Sequence, residues 1–196
     1  MATISTKTDA HWNYFLSVEA DLERLSRFIE FDYRNNQCFS AENTRILNTA
    51  AAETDVVCKQ ICRALDSHSS ASSIYTYCKA IVPAFPIIPR FEVLLPWHGL
   101  QLTPWENWET NRVPEWWTAY NKLKHHRDTE YHRASLKNVL NAVAGLFVVC
   151  LYLYKDKASF GELVPDPRTL RPGKGRFRAV SVGGHGPSIA YNLLEC

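Results

Sequence analysis

The sequence predicts an all-α fold: a helical bundle of about four long helices, with an insertion rich in proline and aromatic residues and an irregular basic C-terminal tail. Three observations predict it. Apolar residues recur at three- and four-residue steps over long stretches. Prolines and glycines concentrate in two places, between 83 and 114 and after 155. The 196 residues, 46% of them hydrophobic, are enough for one domain with a sizeable core.

The first two long helices are expected at 12–31 and 41–66. In the first, Trp12 and Phe15 begin an apolar pattern with helical spacing, and the turn DYRNNQ is expected to end it. In the segment FSAEN, Ser40 is the expected N-cap of the second helix. A hydroxyl before an apolar helical pattern is a typical start signal, so this boundary is well defined.

The middle of the chain is expected to hold little helix. A polar linker, SHSSASS, precedes a short helix in IYTYCKAI. The insertion at 83–113 carries several prolines, through which no helix persists. It also carries Trp97, Trp105 and Trp108, whose large apolar area favours packing on the core. A β-hairpin in RFEVLLPWHGLQLTPW is an open alternative to an irregular loop.

The last two long helices are expected at 114–126 and 132–155, with Pro114 in the first turn of the earlier one. The run AVAGLFVVCLYLY has thirteen residues, fewer than the roughly 20 that span a bilayer, so it predicts a buried core helix and no membrane segment. The residues leave open whether the chain runs straight through HRDTEY or kinks there. If it kinks, Asp128 is a candidate cap for a new helix.

The chain is expected to divide into a helical domain at 1–155 and an irregular basic extension at 156–196. Charge is unevenly distributed: residues 110–196 hold 13 Lys/Arg against 7 Asp/Glu, whereas residues 1–66 hold 7 against 10. This asymmetry favours an anionic partner. The extension is open to three interpretations: an irregular arm, a short hairpin, or a segment ordered only by a partner such as nucleic acid.

The cysteines predict reduced thiols in a cytoplasmic protein, because no secretory signal or glycosylation sequon accompanies them. Cys58 and Cys62 lie four residues apart on an expected helix, but further ligands at zinc-site spacing are missing. Buried core thiols are the better interpretation. We therefore expect neither a metal nor a cofactor. The six are Cys38, Cys58, Cys62, Cys78, Cys150 and Cys196.

The segment YNKLKHHRDTEYHRASLKN, residues 120–138, holds three histidines and five Lys/Arg beside the most apolar run of the chain. A solvated helix face is one interpretation, and a phosphate-handling site is the other. Histidine exchanges protons near neutral pH, and arginine can hold a phosphate through two hydrogen bonds. Because RNA carries its own nucleophile, the 2′-hydroxyl, metal-independent cleavage needs mainly a proton acceptor, a proton donor and a cation.

On a continuous helix, four polar residues of this segment would share one face, with Lys124 beside it. Two imidazoles and a carboxylate among them match the ligand types of a metal site. The surrounding Lys and Arg residues would repel a cation, so phosphate chemistry is favoured. The four residues are Asn121, His125, Asp128 and His132.

The sequence RDTEYH, residues 127–132, resembles the R-[N/H/D]-x-x-x-H signature of HEPN domains (higher eukaryotes and prokaryotes nucleotide-binding). The stretches WNYFLSVEADLERLSRFIEF and WWTAYNKLKHHRDTEYHRASLKNVLNAVAGLFVV resemble uncharacterised bacterial proteins with this fold. The resemblance implies a metal-independent endoribonuclease of a toxin or abortive-infection system. It also implies a homodimer in which two motifs share one cleft around RNA, and an antitoxin or defence-system protein as a further partner.

By this resemblance, His132 is the general acid or base, Arg127 holds the scissile phosphate, and Asp128 orients one of them. The residues expected to bind substrate are Asn121, Lys124, His125 and His126. Three alternatives stay open. The segment NKLKHH carries the site without His132; the protein is a non-catalytic module that binds nucleotide, RNA or protein; or it is a scaffold whose aromatic loop docks a partner.

Overall fold

The computed structural model describes residues 8–182 and 186–193. Helices account for 61% of it, so the expectation of a mainly helical fold is confirmed. A plain bundle of four long helices is wrong, because short antiparallel sheets complete the fold. The helices of the described residues are α1 (Ala10–Leu25), α2 (Ala41–Leu65), α3 (Ile74–Ala84), α4 (Glu115–Glu130), α5 (Leu136–Leu153) and α6 (Lys155–Phe160).

Two antiparallel sheets lie outside the helices. The first has the order β2-β1-β3 and joins the insertion to the C-terminal extension, since Val93 pairs with both Leu102 and Pro172. The second is a hairpin of β4 and β5. The hairpin expected as an alternative within the insertion is therefore present, and Gly99 turns it with a positive φ of 63°. The strands are β1 (Val93–Leu95), β2 (Leu100–Leu102), β3 (Arg171–Pro172), β4 (Phe177–Val182) and β5 (Gly186–Tyr191).

In its described residues, the C-terminal extension forms paired strands, so the description of it as irregular was wrong there, and the short-hairpin alternative holds. Its basic residues also contact the rest of the chain. The Arg176 guanidinium lies 5.6 Å from the centre of the Phe91 ring, and an Arg168 guanidinium nitrogen lies 3.9 Å from a Glu23 carboxylate oxygen on α1. Backbone pairing of this kind gives little signal in a sequence rich in Gly and Pro, which is why the extension looked unstructured.

Helix α5 is the centre of the core. It is apolar on all sides, and its residues from Val139 to Tyr152 are buried with the single exception of Asn141. By length and composition it could cross a membrane, but 78% of it is buried inside the protein. The expectation of a core helix is confirmed.

Helix boundaries follow the capping residues. Ser40 accepts a hydrogen bond from the Asn43 N–H at 3.1 Å and caps α2, as expected. Helix α1 ends at Leu25, six residues before the expected end at 31. There the Ser26 hydroxyl donates to the Glu23 carbonyl at 2.8 Å, and the Phe28 N–H donates to a carbonyl three residues back. This tighter turn stops the α-helix although the apolar pattern continues.

The insertion packs on the core through tryptophans. Trp105 is fully buried and donates its Nε1–H to the Gly145 carbonyl at 3.2 Å. Trp116 donates to the Pro104 carbonyl at 2.8 Å, and a Cβ added to Gly145 would lie 2.9 Å from the Trp116 ring. Gly145 is therefore the position where α5 makes room for the indoles. Trp97 differs, with 90% of its surface exposed.

Four of the cysteines are buried and unpaired, as expected: Cys58, Cys62, Cys78 and Cys150. Burial raises the pKa of the Cys58 and Cys150 thiols well above the ordinary value, so both are protonated, unreactive core residues. Cys38 is also unpaired but exposed, while Cys196 lies outside the described residues.

The extension is fastened to α1 by Glu19. This carboxylate is only 3% exposed and accepts backbone N–H bonds from three consecutive residues, Arg168, Thr169 and Leu170, at 2.8–2.9 Å. Burial raises the pKa of Glu19 above 4.5, although the three N–H donors oppose the shift. One buried side chain thus ties the first helix to a segment about 150 residues later in the chain.

Glu19 should give the protein a measurable pH dependence of stability. Because its pKa is higher in the folded state than in the unfolded chain, the folded protein binds this proton more tightly. This tighter proton binding contributes fully to the free energy of unfolding below pH 4.5. The contribution is lost as the pH rises through the raised pKa of Glu19. Urea unfolding of the parent and of Glu19→Gln should show a free-energy difference that changes in this window. Glu23→Gln, at a half-buried neighbour on α1 whose side chain is 44% exposed, is the control. A difference of the opposite slope would mean that the N–H donors outweigh burial.

Candidate functional site

The junction between α4 and α5 contains a kink. His126 has non-helical backbone angles (φ −142°, ψ 42°), and α4 then continues only to Glu130. A single 3₁₀ turn follows, and Ser135 caps α5 by accepting the Asn138 N–H at 3.4 Å. Asp128, the expected cap, does not serve as one. The question left open by the sequence is therefore settled in favour of a kink.

The kink removes the single helical face expected for this segment. Asn121 and His125 precede the break, whereas Asp128 and His132 follow it. Their spacing along the chain therefore does not determine their relative positions in space. The shared face was conditional on a continuous helix, and that condition is not met because one residue with non-helical angles breaks the periodicity.

All seven candidate side chains are exposed, and they have almost no partners. Within residues 8–182 and 186–193, their only ion pair joins the His132 Nε2 to a Glu130 carboxylate oxygen at 4.0 Å. Arg127 makes no ion pair in that part of the chain. The seven are Asn121, Lys124, His125, His126, Arg127, Asp128 and His132.

Arg127 and Asp128 line a cleft of about 700 Å³ together with Tyr131 and one end of α2. Arg45 is the second cation there. It pairs with Glu42 at 2.6 Å and with Asp21 at 2.8 Å, and these carboxylates raise its pKa further. The α2 residues on the opposite wall are Ala41, Thr44, Arg45 and Asn48.

Sequence reasoning missed the α2 wall of this cleft. Arg45 and Asn48 lie about 80 positions before the motif and looked like ordinary surface residues of a capped helix. Only the tertiary packing of α2 against α4 brings them to the motif. The remaining candidates do not line this cleft: Asn121, Lys124, His125, His126 and His132.

Aromatic side chains continue this surface. Phe39 is 49% exposed and meets the Tyr131 ring edge-on, with 5.5 Å between centroids. Its backbone forms an isolated antiparallel bridge with Ser135. The neighbourhood of the Arg127 cleft thus combines guanidinium groups with aromatic ring surface, the two elements with which proteins contact single-stranded nucleic acid.

One chain does not assemble the three proposed catalytic residues into a hydrogen-bonded unit. Over the described ranges, no hydrogen bond or ion pair links Arg127, Asp128 and His132 to one another. In the same ranges, no group of three or more His, Cys, Asp or Glu side chains is arranged to hold a metal ion. The cationic and imidazole side chains of the junction are therefore exposed to solvent and accessible to a second molecule.

Comparison with known proteins adds no relative. A scan against protein-family models, a search of curated proteins and a search of solved structures each gave no match to this chain.

Proposed function

We propose that this protein is a HEPN-like, metal-independent endoribonuclease of a bacterial defence or toxin–antitoxin system, acting on RNA in the cytoplasm. The observation that carries the proposal is the exposed cluster of Arg127 and histidines at the kinked α4–α5 junction. A guanidinium without a carboxylate partner among the residues that the structure describes is available to a phosphate. Arg127 in the cleft and His132 on the following turn supply the cation and the proton carrier that RNA cleavage needs.

The proposed reaction is an intramolecular transesterification, in which the 2′-hydroxyl of the RNA attacks the adjacent phosphate. A histidine accepts the proton of the 2′-hydroxyl as its oxygen bonds to phosphorus, and the bond from phosphorus to the 5′-oxygen breaks. The leaving oxygen takes a proton from an acid, and the products are a 2′,3′-cyclic phosphate and a 5′-hydroxyl. Arg127 stabilises the negative charge that develops on the phosphate, and Asp128 orients Arg127 or His132. The flanking RNA contacts Asn121, Lys124, His125 and His126.

A homodimer completes this site. Each chain contributes one Arg127 and one His132. A two-fold axis through the junction would therefore bring two arginines and two histidines to one shared cleft. Light scattering should therefore give twice the chain mass of 22.4 kDa. A monomeric mass with cleavage intact would count against the shared cleft. An antitoxin or defence-system partner would bind at the same exposed surface.

The second candidate function is a non-catalytic module that binds nucleotide, RNA or protein. It is favoured by the lack of hydrogen bonds among Arg127, Asp128 and His132 within one chain. Incubation of purified protein with generic RNA in EDTA separates the two functions. Cleavage supports the ribonuclease, whereas salt-dependent binding of intact RNA supports the module.

A further inference from the structure

A separate cavity of about 340 Å³ shares none of its lining residues with the Arg127 cleft. It lies between β2 with the loop after it, the start of α4 and the first turns of α5. Its volume falls within the range of about 300–1,000 Å³ that small-molecule sites occupy. Its polar lining is dominated by carboxamides: Asn36, Gln101, Asn107, Asn138 and Asn141.

These carboxamides have hydrogen-bonding capacity that the described part of the chain does not use. There, the side chains of Asn36, Gln101 and Asn107 have no hydrogen-bond partner. Asn138 and Asn141 donate their Nδ2 groups to backbone carbonyls at 3.0 and 2.9 Å, which leaves both side-chain oxygens free. Gln101 is exposed and the other four amides are half-buried, so these donors and acceptors are open to solvent and can exchange water for a ligand.

The backbone that carries the amides is fixed. The Asn36 carbonyl accepts the Lys137 N–H at 3.1 Å, and the Asn107 carbonyl accepts the Arg112 N–H at 2.9 Å. Asn138 lies in the first turn of the buried helix α5. Most of the site is therefore held in place before any ligand arrives, which lowers the entropic cost of binding.

The rest of the lining is apolar and aromatic. Trp116 is buried and held by its hydrogen bond to Pro104 and by edge-on contact with Trp105. Leu102 and Leu140 continue this surface, and Tyr33, which is 74% exposed, also lines the cavity. The combination suits a flat ring whose faces are apolar and whose edges form hydrogen bonds.

The charge of the cavity disfavours an anion. Lys137 already pairs with Glu115 at 2.6 Å, so its ammonium has an anionic partner. The other charged lining residue is an acid, Glu106. A phosphate would find no unpaired cation among these lining residues, in contrast to the Arg127 cleft, and a neutral ligand is favoured.

We infer that this cavity binds a nucleobase, as the free base or within a neutral nucleoside. A carboxamide places a donor beside an acceptor and can pair with the adjacent donor and acceptor atoms on the edge of a base. Proteins also hold unstacked bases against aromatic side chains while reading their edges. Such a site goes beyond the proposed cleavage and does not require it, because it uses neither Arg127 nor His132.

Calorimetric titration of the full chain with adenosine, guanosine, cytidine and uridine tests this inference. At least one nucleoside should bind with saturation at one site per chain, and its 5′-monophosphate should bind no more tightly. Ribose and glucose should give no saturable heat. Asn107→Ala and Gln101→Ala should each weaken binding about three- to tenfold, the effect of one lost hydrogen bond. Gln37→Ala, an exposed amide next to Asn36 but outside the cavity, should leave the affinity unchanged.

Three results would overturn the inference: no binding of any nucleoside, binding of the sugars alone, or unchanged affinity in the Gln101/Asn107 double variant with native circular dichroism. Arg127→Ala should keep nucleoside affinity. Nucleoside binding without RNA cleavage would then reject the proposed ribonuclease and leave this cavity assigned. RNA cleavage without nucleoside binding would instead support the proposed ribonuclease and reject the nucleobase site.

Discussion

Replacement of Arg127 or His132 by alanine should leave a folded protein that no longer cleaves RNA. Loss of a general acid or base typically costs about 10²–10⁴ in rate, and loss of a charge-stabilising donor costs about 10²–10³. Both side chains are exposed. The free energy of unfolding should therefore change by less than about 0.5 kcal/mol in each variant. Initial cleavage rates with an excess of RNA, together with urea unfolding, measure the two effects.

The double variant and a histidine control refine this test. If Arg127 and His132 act on the same phosphate, the double variant should be scarcely worse than the worse single one, because groups that act as a unit are not additive. His125→Ala is the comparison variant, since it removes an exposed imidazole from the same segment. Because His125 contacts only the flanking RNA in the proposed site, this variant should weaken RNA binding and keep the cleavage step. Normal cleavage by His132→Ala with inactivity of His125→Ala would place the site in NKLKHH instead.

Trp105→Ala is expected to give the largest loss of stability, about 3–5 kcal/mol in the free energy of unfolding. The indole is fully buried, lies 4.1 Å from the Trp108 ring centre and 5.2 Å from that of Trp116, and donates to the Gly145 carbonyl. Its removal leaves a large cavity between the insertion and α5 and deletes the indole hydrogen bond to the Gly145 carbonyl. Thermal and urea unfolding would report the loss.

Trp97→Ala is the matched control for this variant. It deletes the same side chain from the same insertion, but Trp97 is 90% exposed. Its effect should stay within about 0.5 kcal/mol. Equal effects of the two variants would mean that the insertion does not pack on the core as described.

Helices with local start signals and uninterrupted apolar patterns could be predicted from the sequence. Helix α2 was expected at 41–66 and is found at Ala41–Leu65, because the Ser40 cap and the apolar spacing act over a few residues. Helix α5 was located for the same reason. The end of α1 was missed because Phe28 and Ile29 continue the apolar spacing while the backbone has already left the α-helix.

Features that depend on distant parts of the chain could not be predicted. Strand β3 pairs with β1 almost 80 residues earlier, and Glu19 binds N–H groups about 150 residues later. Arg45 reaches the motif cleft in the same way. At the proposed site, the candidate residues were named from the sequence, but the kink at His126 has no compositional signal, so their geometry could not be predicted.

The most direct test of the proposed cleavage uses one RNA in two forms. Purified protein in excess EDTA should cut the all-ribose oligonucleotide and leave a 2′,3′-cyclic phosphate at the cut, because the 2′-hydroxyl is the nucleophile. An oligonucleotide with a single 2′-deoxy residue at that position should not be cut there. Cleavage of the deoxy form, dependence on added divalent metal, or no cleavage of either RNA would contradict the proposed function.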